Sequence, residues 1–452
     1  MSIKCSRPKE ITVNANSYRY RQPAEILQNL IRFDTTNPPG KEAECIDYIN
    51  RLIQSAGIDT KILYQDPSRP NLICRIKGNG NAPPLLLYGH VDVVTTAGQI
   101  WQYPPFEGRI VDGFLWGRGA LDMKGAVAMM LCAFLRAKYE NIYLAGDVVL
   151  CIMSDEEAGG NLGAKFLVER HADYFKGIQY AISEFGGFSF YFKGKKFFPI
   201  EVIQKQVCSI KATVRSRSGH GALVMKDGAM AKLARMLNQL DKKYLPIHIT
   251  PVVHTFVEQM ASALPFPGRM VMRQLLNPLF TDRMLKLLGE KGRNFIPMFR
   301  NTVNATIVRG GDKVNVLPSE IEVILDGRLL PGCVPENIIG EIRAIIDDDI
   351  ELEVIRYDPG TLEPNMGLFD TLAAVLRTLD PDGIPIPYLL SASSDARFFS
   401  NIGIQTYGFI PMQLPESLDF ARLIHAADER IPVEALTFGS EAIYQLLRCF
   451  HE

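Results

Sequence analysis

Apolar strands alternating with helices, a change to one-sided strands in mid-chain, and a return of the first texture near the end predict an α/β protein. Its core is expected to be a mixed, mostly parallel sheet flanked by helices, with an α+β domain of ferredoxin-like order inserted into it. Three observations carry this. LLLYGHVDVV (85–94) is continuously apolar up to a Gly, as in a strand buried on both faces. CSIKATVRS (208–216) instead alternates apolar and polar residues, as in a sheet with one lightly covered face. At 452 residues the chain also exceeds a comfortable single core, so two domains are expected.

The elements follow in order. PAEILQNLIRF predicts a helix over about 24–32, DTTNPPGKE a turn, and the next stretch an amphipathic helix over about 44–56. Strands are expected at 59–64 and 71–76, ahead of 85–94. WQYPPFEGRIVDGFLWGRGALDMKG is a Gly- and Pro-rich loop leading to a helix over 124–138, whose GAVAMMLCAFLRAK is apolar nearly all round and therefore central. Strands at 148–153 and 180–183 repeat the theme. After Gln206 come a helix near 227–240, strands at 303–309 and 320–326, a helix over 335–347 and the strand IELEVIRY. With the strand at 208–216 in front, that order is a split-βαβ sandwich. The Pro-, Met- and Phe-rich stretch 244–299 reads as extra helices and loops on it. The organisation is thus a split α/β domain, 1–206 and 359–452, around an insert, 207–358.

Composition excludes several classes. Lys and Arg number 49 against 50 Asp and Glu, so no basic bias points to nucleic acid or an anionic membrane surface. The start, MSIKCSRPKEITVNANSYRYRQP, has no apolar signal region, and no stretch is long enough to span a bilayer. The eight cysteines, Cys5, Cys45, Cys74, Cys132, Cys151, Cys208, Cys333 and Cys449, form no CxxC pair, and several sit in apolar runs. A reduced, cytoplasmic protein is expected.

The chemistry collects where apolar strands end. His90 closes LLLYGH with Asp92 two residues on; a lone His there is more often a satisfied core residue, but the pattern recurs. Asp122 lies in GRGALDMKG, just before the apolar helix. SDEEAGG supplies Asp155, Glu156 and Glu157 after the strand 148–153, SEFGG supplies Glu184, and RLIHAADERIP supplies His425. A DEE triplet is commonly a solvated turn, yet this one closes an apolar strand and precedes two glycines. Carboxylates and imidazoles gathered at neighbouring strand ends leave costly buried charge unless cations sit among them. Two divalent ions resolve that, with one bridging carboxylate and one acid left free as a base.

GHVDVV, GRGALDMKG, SDEEAGG, SEFGG and a late His, in this order over nearly the whole chain, resemble the di-zinc family of glutamate carboxypeptidases, aminoacylases, dipeptidases and succinyl-diaminopimelate desuccinylases. The resemblance implies the zinc exopeptidase fold, with the insert as lid and homodimer contact. It implies His90, Glu184 and bridging Asp122 on one zinc, and Glu157, His425 and Asp122 on the other; cobalt or manganese could replace zinc. It implies Glu156 as general base, Asp92 as the partner of His90, and a cis peptide after Asp122. His220 in RSRSGHGALV would donate to the oxyanion, although a plain surface histidine is the alternative. Asn304 and Arg328 would meet the substrate carboxylate, a bidentate task that suits Arg, although a salt bridge within the insert would equally use Arg328.

The family's glycine-rich GGTDAR-like segment reads SASSDARFF here. Ser393, Ser394 and Arg397 align, with Ser394 as a substrate contact, but the glycines are gone. The implied activity is hydrolysis of an amide or peptide bond beside a free α-carboxylate, in a small peptide or an N-acyl amino acid. A desuccinylase or deacylase of amino-acid biosynthesis, or a non-catalytic metal-binding homologue, are the other readings.

Overall fold

The computed structural model describes residues 22–347 and 349–451, so Cys5 and the first residues lie outside the described part. The chain divides into two compact units. The first holds the described residues of Met1–Val202, Asn365–Pro387 and Ser394–Glu452, and the second holds Ile203–Pro364 and Tyr388–Ser393.

In the first unit a nine-stranded sheet runs in the order Thr60–Leu63, Asn71–Ile76, Val148–Met153, Leu85–His90, Tyr180–Ser183, Gln405–Gly408, Lys195–Gln204 and Gly383–Leu390, with Phe190–Phe192 paired to Lys195–Gln204. The four strands from Val148–Met153 to Gln405–Gly408 are mutually parallel; Asn71–Ile76 pairs antiparallel with Val148–Met153 and with Thr60–Leu63, and Lys195–Gln204 pairs antiparallel with Gln405–Gly408 and with Phe190–Phe192. Leu85–His90 and Val148–Met153 are buried at every residue, which is why their sequences run apolar without alternation. Helix Lys124–Tyr139 packs against Leu85–His90, Pro23–Ile31 and the C-terminal helix Val433–Cys449. Its residues are buried almost throughout, as its apolar sequence predicts. Two features escaped the sequence: the hairpin of Phe190–Phe192 with Lys195–Gln204, and a small sheet in which Arg430–Pro432 pairs with Phe114–Trp116, itself paired with Arg109–Val111. Phe190–Phe192, Arg109–Val111, Phe114–Trp116 and Arg430–Pro432 span three residues each, too short to leave a period, and Lys195–Gln204 is buried over most of its ten residues and so does not alternate.

In the second unit four antiparallel strands run in the order Thr302–Arg309, Glu320–Leu329, Gln206–Arg215 and Glu351–Asp358. Helices Ala229–Lys242 and Pro335–Arg343 pack on this sheet around Ile210, Ala212, Val323, Leu325, Ile338 and Ile342. Strand Glu320–Leu329 alternates in burial along its length, matching its alternating sequence. The stretch 244–299 forms helices Pro251–Ser262, Gly268–Arg273, Thr281–Leu287 and Gly289–Phe295.

Cys45, Cys74, Cys132, Cys151 and Cys208 are buried and unbridged, and burial pushes the Cys45 thiol up to about 11 and those of Cys74 and Cys132 up to about 12. They serve as small hydrophobes. Among the described residues no helix is long and apolar enough to cross a membrane.

Leu87 lies fully buried at the centre of the parallel strands, whereas Ile100 is 92% exposed. Leu87→Ala should lower stability to urea by about 2–5 kcal/mol through lost transfer energy and a residual cavity. Ile100→Ala should stay within about 0.5 kcal/mol of wild type.

Candidate metal centre

Parallel strands that end together make neighbours of the residues that follow them. His90 is the last residue of its strand, in register with Met153. Asp155, Glu156 and Glu157 leave the strand on one side of it, and Glu184 leaves the strand on the other. Asp122 ends the loop before helix Lys124–Tyr139, and its peptide to Met123 is cis. His425 arrives on the loop before Arg430–Pro432. Three of these segments place a non-glycine residue in the left-handed region: Asp155 at φ 75°, Phe185 at φ 63° and His425 at φ 62°. Such conformations cost about 1–3 kcal/mol each and concentrate at functional sites.

Asp122 is the hub. Its Oδ1 lies 3.3 Å from His90 Nε2, and that nitrogen is 3.4 Å from Glu184 Oε2. Its other oxygen, Oδ2, lies 3.1 Å from His425 Nε2, which is 3.4 Å from Glu157 Oε2. One carboxylate thus faces two imidazole–carboxylate pairs, one through each oxygen. Donors about 2.0–2.2 Å from a common tetrahedral ion lie about 3.3–3.6 Å apart, so this spacing is that of ligands around a cation. His90 Nε2, Glu157 Oε1 and Glu184 Oε2 are buried without a hydrogen-bond partner among the described residues. Buried polar atoms normally have partners, and three orphans converging on one cluster are the atoms an ion would occupy. Glu156 joins His90 and Glu184 in a group whose ligand atoms lie within 4.8 Å of one another. The donor set therefore fits two divalent ions.

Electrostatics agree. Burial pushes Glu184 up to about 8 and raises Glu156 well above the carboxylate range, with the Glu184 charge adding to the second. Burial opposes charge on His90, but Asp122, Asp92 and Glu184 outweigh it and hold its pKa well above normal. Hydrogen bonds to Asp122 and Glu157 raise His425 to about 10. Protons thus stand in for missing positive charge, and a divalent ion would displace them.

A buried network braces the acid loop. His90 Nδ1 lies 3.0 Å from the Asp92 carbonyl and 3.4 Å from Asp92 Oδ1. The Asp92 carboxylate accepts the backbone N–H of Glu156 at 3.1 Å, that of Glu157 at 3.0 Å, and Asn37 Nδ2 at 2.9 Å. Asn37 also reaches Asp155, which Arg69 holds at 3.1 Å while forking onto buried Glu42. On the far side Arg397 Nη2 donates to the Gly159 carbonyl at 2.9 Å. A Cβ on Gly160, at φ 70°, would lie 2.3 Å from Asp395 Oδ1, so only glycine fits there.

The structure gathers His90, Asp92, Asp122, Glu156, Glu157, Glu184 and His425 in the first unit. Ser394 is also there, but buried, its hydroxyl accepting the Ala396 amide. His220, Asn304 and Arg328 belong to the second unit. His220 is exposed on a short strand, its Nδ1 accepting the Ala222 amide. Asn304 pairs across the sheet with Asp326, and Arg328 forks onto that same Asp326 at 2.9 and 3.1 Å, so the salt bridge the sequence allowed is present. Sequence reasoning passed over Asn37, Arg118 and Glu429. Glu429 sits in HAADERIP, where a charge reads as a solvated turn, and no sequence signal marks it as buried.

The family described as Peptidase family M20/M25/M40 matches residues 86–448. The bovine N-fatty-acyl-amino acid synthase/hydrolase PM20D1 is 26% identical over 445 residues, covering 94% of this chain and 87% of that protein. The probable carboxypeptidase S-like 2 of Dictyostelium discoideum is 28% identical over 386 residues, covering 81% and 71%. In fold, the M20 family metallo-carboxypeptidase Sso-CP2 from Sulfolobus solfataricus superposes with a TM-score of 0.67 at 17% identity, over 94% of this chain and 98% of that one. The chain is a metal-dependent hydrolase and belongs to peptidase family M20/M25/M40.

Proposed function

We propose that the protein hydrolyses an amide or peptide bond beside a free α-carboxylate, in a small peptide or an N-acyl amino acid, with two divalent ions, zinc first among them. The observation that carries this is Asp122, whose two oxygens each face an imidazole and a second carboxylate. His90, Glu184 and Asp122 would hold one ion, and His425, Glu157 and Asp122 the other. Imidazole and carboxylate donors at this spacing suit zinc, and also cobalt or manganese. Two relatives, an N-fatty-acyl-amino acid synthase/hydrolase and a probable carboxypeptidase S-like protein, support a substrate bearing an amino-acid carboxylate.

When bound, such ions supply Lewis-acid polarisation of an amide carbonyl and lower the pKa of water. The residues do the rest. Glu157 is engaged with His425, which leaves Glu156 to take the proton of the attacking water and pass it to the departing amine nitrogen. Burial raises the proton affinity of Glu156, which suits a group that must hold a proton between two steps. The backbone bonds from Glu156 and Glu157 to Asp92 keep both acids in place. For the second unit we assign His220 to the oxyanion, and Asn304 and Arg328 to the substrate carboxylate. Its outer strands, Thr302–Arg309 and Glu351–Asp358, offer edges through which a homodimer could form. Buried, unbridged thiols fit a reducing, cytoplasmic setting.

Metal-loaded protein should release free amino acid from a panel of dipeptides, N-acyl and N-succinyl amino acids, and the ranking will separate peptidase from deacylase or desuccinylase. Glu156→Gln should slow this by about 10²–10⁴-fold with metal content unchanged. Silence across the panel with two ions bound would favour the non-catalytic homologue. Elemental analysis should find both ions lost from Asp122→Ala, and one retained in His425→Ala. Arg328→Ala should raise KM by at least about tenfold with a smaller effect on kcat, as loss of a charged hydrogen bond to substrate requires.

A further inference from the structure

Asp122 and His425 are far apart in sequence, yet their distance sets where the second ion can lie, so something must hold their two loops in register. A buried ion pair lies between them. Glu429 is 0% and Arg118 1% exposed, and Arg118 Nη1 meets Glu429 Oε2 at 2.7 Å. The Glu429 carboxylate also accepts three backbone amides of the Asp122 loop: Gly119 at 3.1 Å, Leu121 at 2.7 Å and Asp122 itself at 3.2 Å. Arg118, from that same loop, reaches back to the His425 loop, donating to the carbonyls of Ala426 at 3.1 Å and His425 at 3.3 Å. Gln99 completes the bracket, donating to the His425 carbonyl at 2.8 Å and accepting from Arg118 Nη2 at 2.8 Å.

Replacing a buried ion pair by apolar residues is often neutral or stabilising, and what such pairs can add is a unique register. Here the groups placed in register are the backbone amide of Asp122 and the backbone carbonyl of His425. Resting on the two-ion reading above, we infer that Glu429 and Arg118 are positioning residues that fix the separation of Asp122 from His425, and with it the spacing of the two ions. They touch no substrate; they act through the ligands.

The test is cobalt binding to the full chain, measured by competition with a chelating dye, together with the magnetic coupling between two cobalt ions sharing a carboxylate. Glu429→Ala, Glu429→Gln and Arg118→Lys are compared with Leu372→Ala, a buried core change in helix Phe369–Leu379. Loss of an outer partner of a ligand weakens metal binding roughly 10–100-fold, and that loss is expected in Glu429→Ala, with Glu429→Gln intermediate. Coupling should be lost in Glu429→Ala. Arg118→Lys, which keeps charge but not the fork, should weaken mainly the ion beside His425. Leu372→Ala should lower the melting temperature and leave affinity and coupling unchanged. Wild-type affinity and coupling in folded Glu429→Ala would overturn the inference, and if that variant does not fold, the same result in Glu429→Gln would do so. Fewer than two ions on the wild type would instead remove the two-ion reading, and this inference with it.

Discussion

The structure of the site depends on one carboxylate shared between two imidazoles. Asp122 turns one oxygen to His90 and the other to His425, and each imidazole meets a second acid, Glu184 or Glu157. So many buried acids at one place are unfavourable without positive charge, which is why the carboxyls of Glu184, Glu156 and Glu157 are raised and both imidazoles hold their protons tightly. Divalent ions would meet the same need, and on the proposed reading Glu156 would then be left for proton transfer.

The scaffold explains how five separate segments arrive at one point. Parallel strands deliver His90, the acid loop and Glu184 side by side, because the register of Leu85–His90 with Val148–Met153 brings their carboxyl ends level. Asp122 and His425 come on loops joined by a small sheet, in which Arg430 pairs with Trp116 and so sets the His425 loop beside the Asp122 loop. Around them the polar groups are satisfied in chains: Asp92 with the amides of the acid loop, Asn37 with Asp92, Arg69 with Glu42 and Asp155. A buried network of this kind is rigid when complete, and rigidity is what holds ligands at ion-binding distances.

Much of this was legible in the sequence for a physical reason. A continuous apolar run ending in His, or in Asp-Glu-Glu, sets polar groups where burial alone would not put them, so His90, Glu156, Glu157 and Glu184 stood out at strand ends. Asp122 and His425 needed the order of motifs, because neither ends an apolar strand. Glu429, Arg118 and Asn37 were invisible, since charged or amide residues in turns usually face water and only three-dimensional contact shows these three buried. SASSDARFF shows the limit differently. The resemblance implies a substrate contact at Ser394, and Arg397 of the same segment braces the acid loop through the Gly159 carbonyl. Side chains that meet substrate obey no period, and Arg328, already forked onto Asp326, illustrates how little one Arg reveals by its place in a strand.

The central claim is that Asp122 separates two ion positions of different composition. Anomalous diffraction from crystals of the metal-loaded protein, recorded on both sides of the metal's absorption edge, tests it most directly. Two peaks are expected, one between Asp122, His90 and Glu184 and the other between Asp122, His425 and Glu157. A single peak, or peaks away from Asp122, would contradict the account.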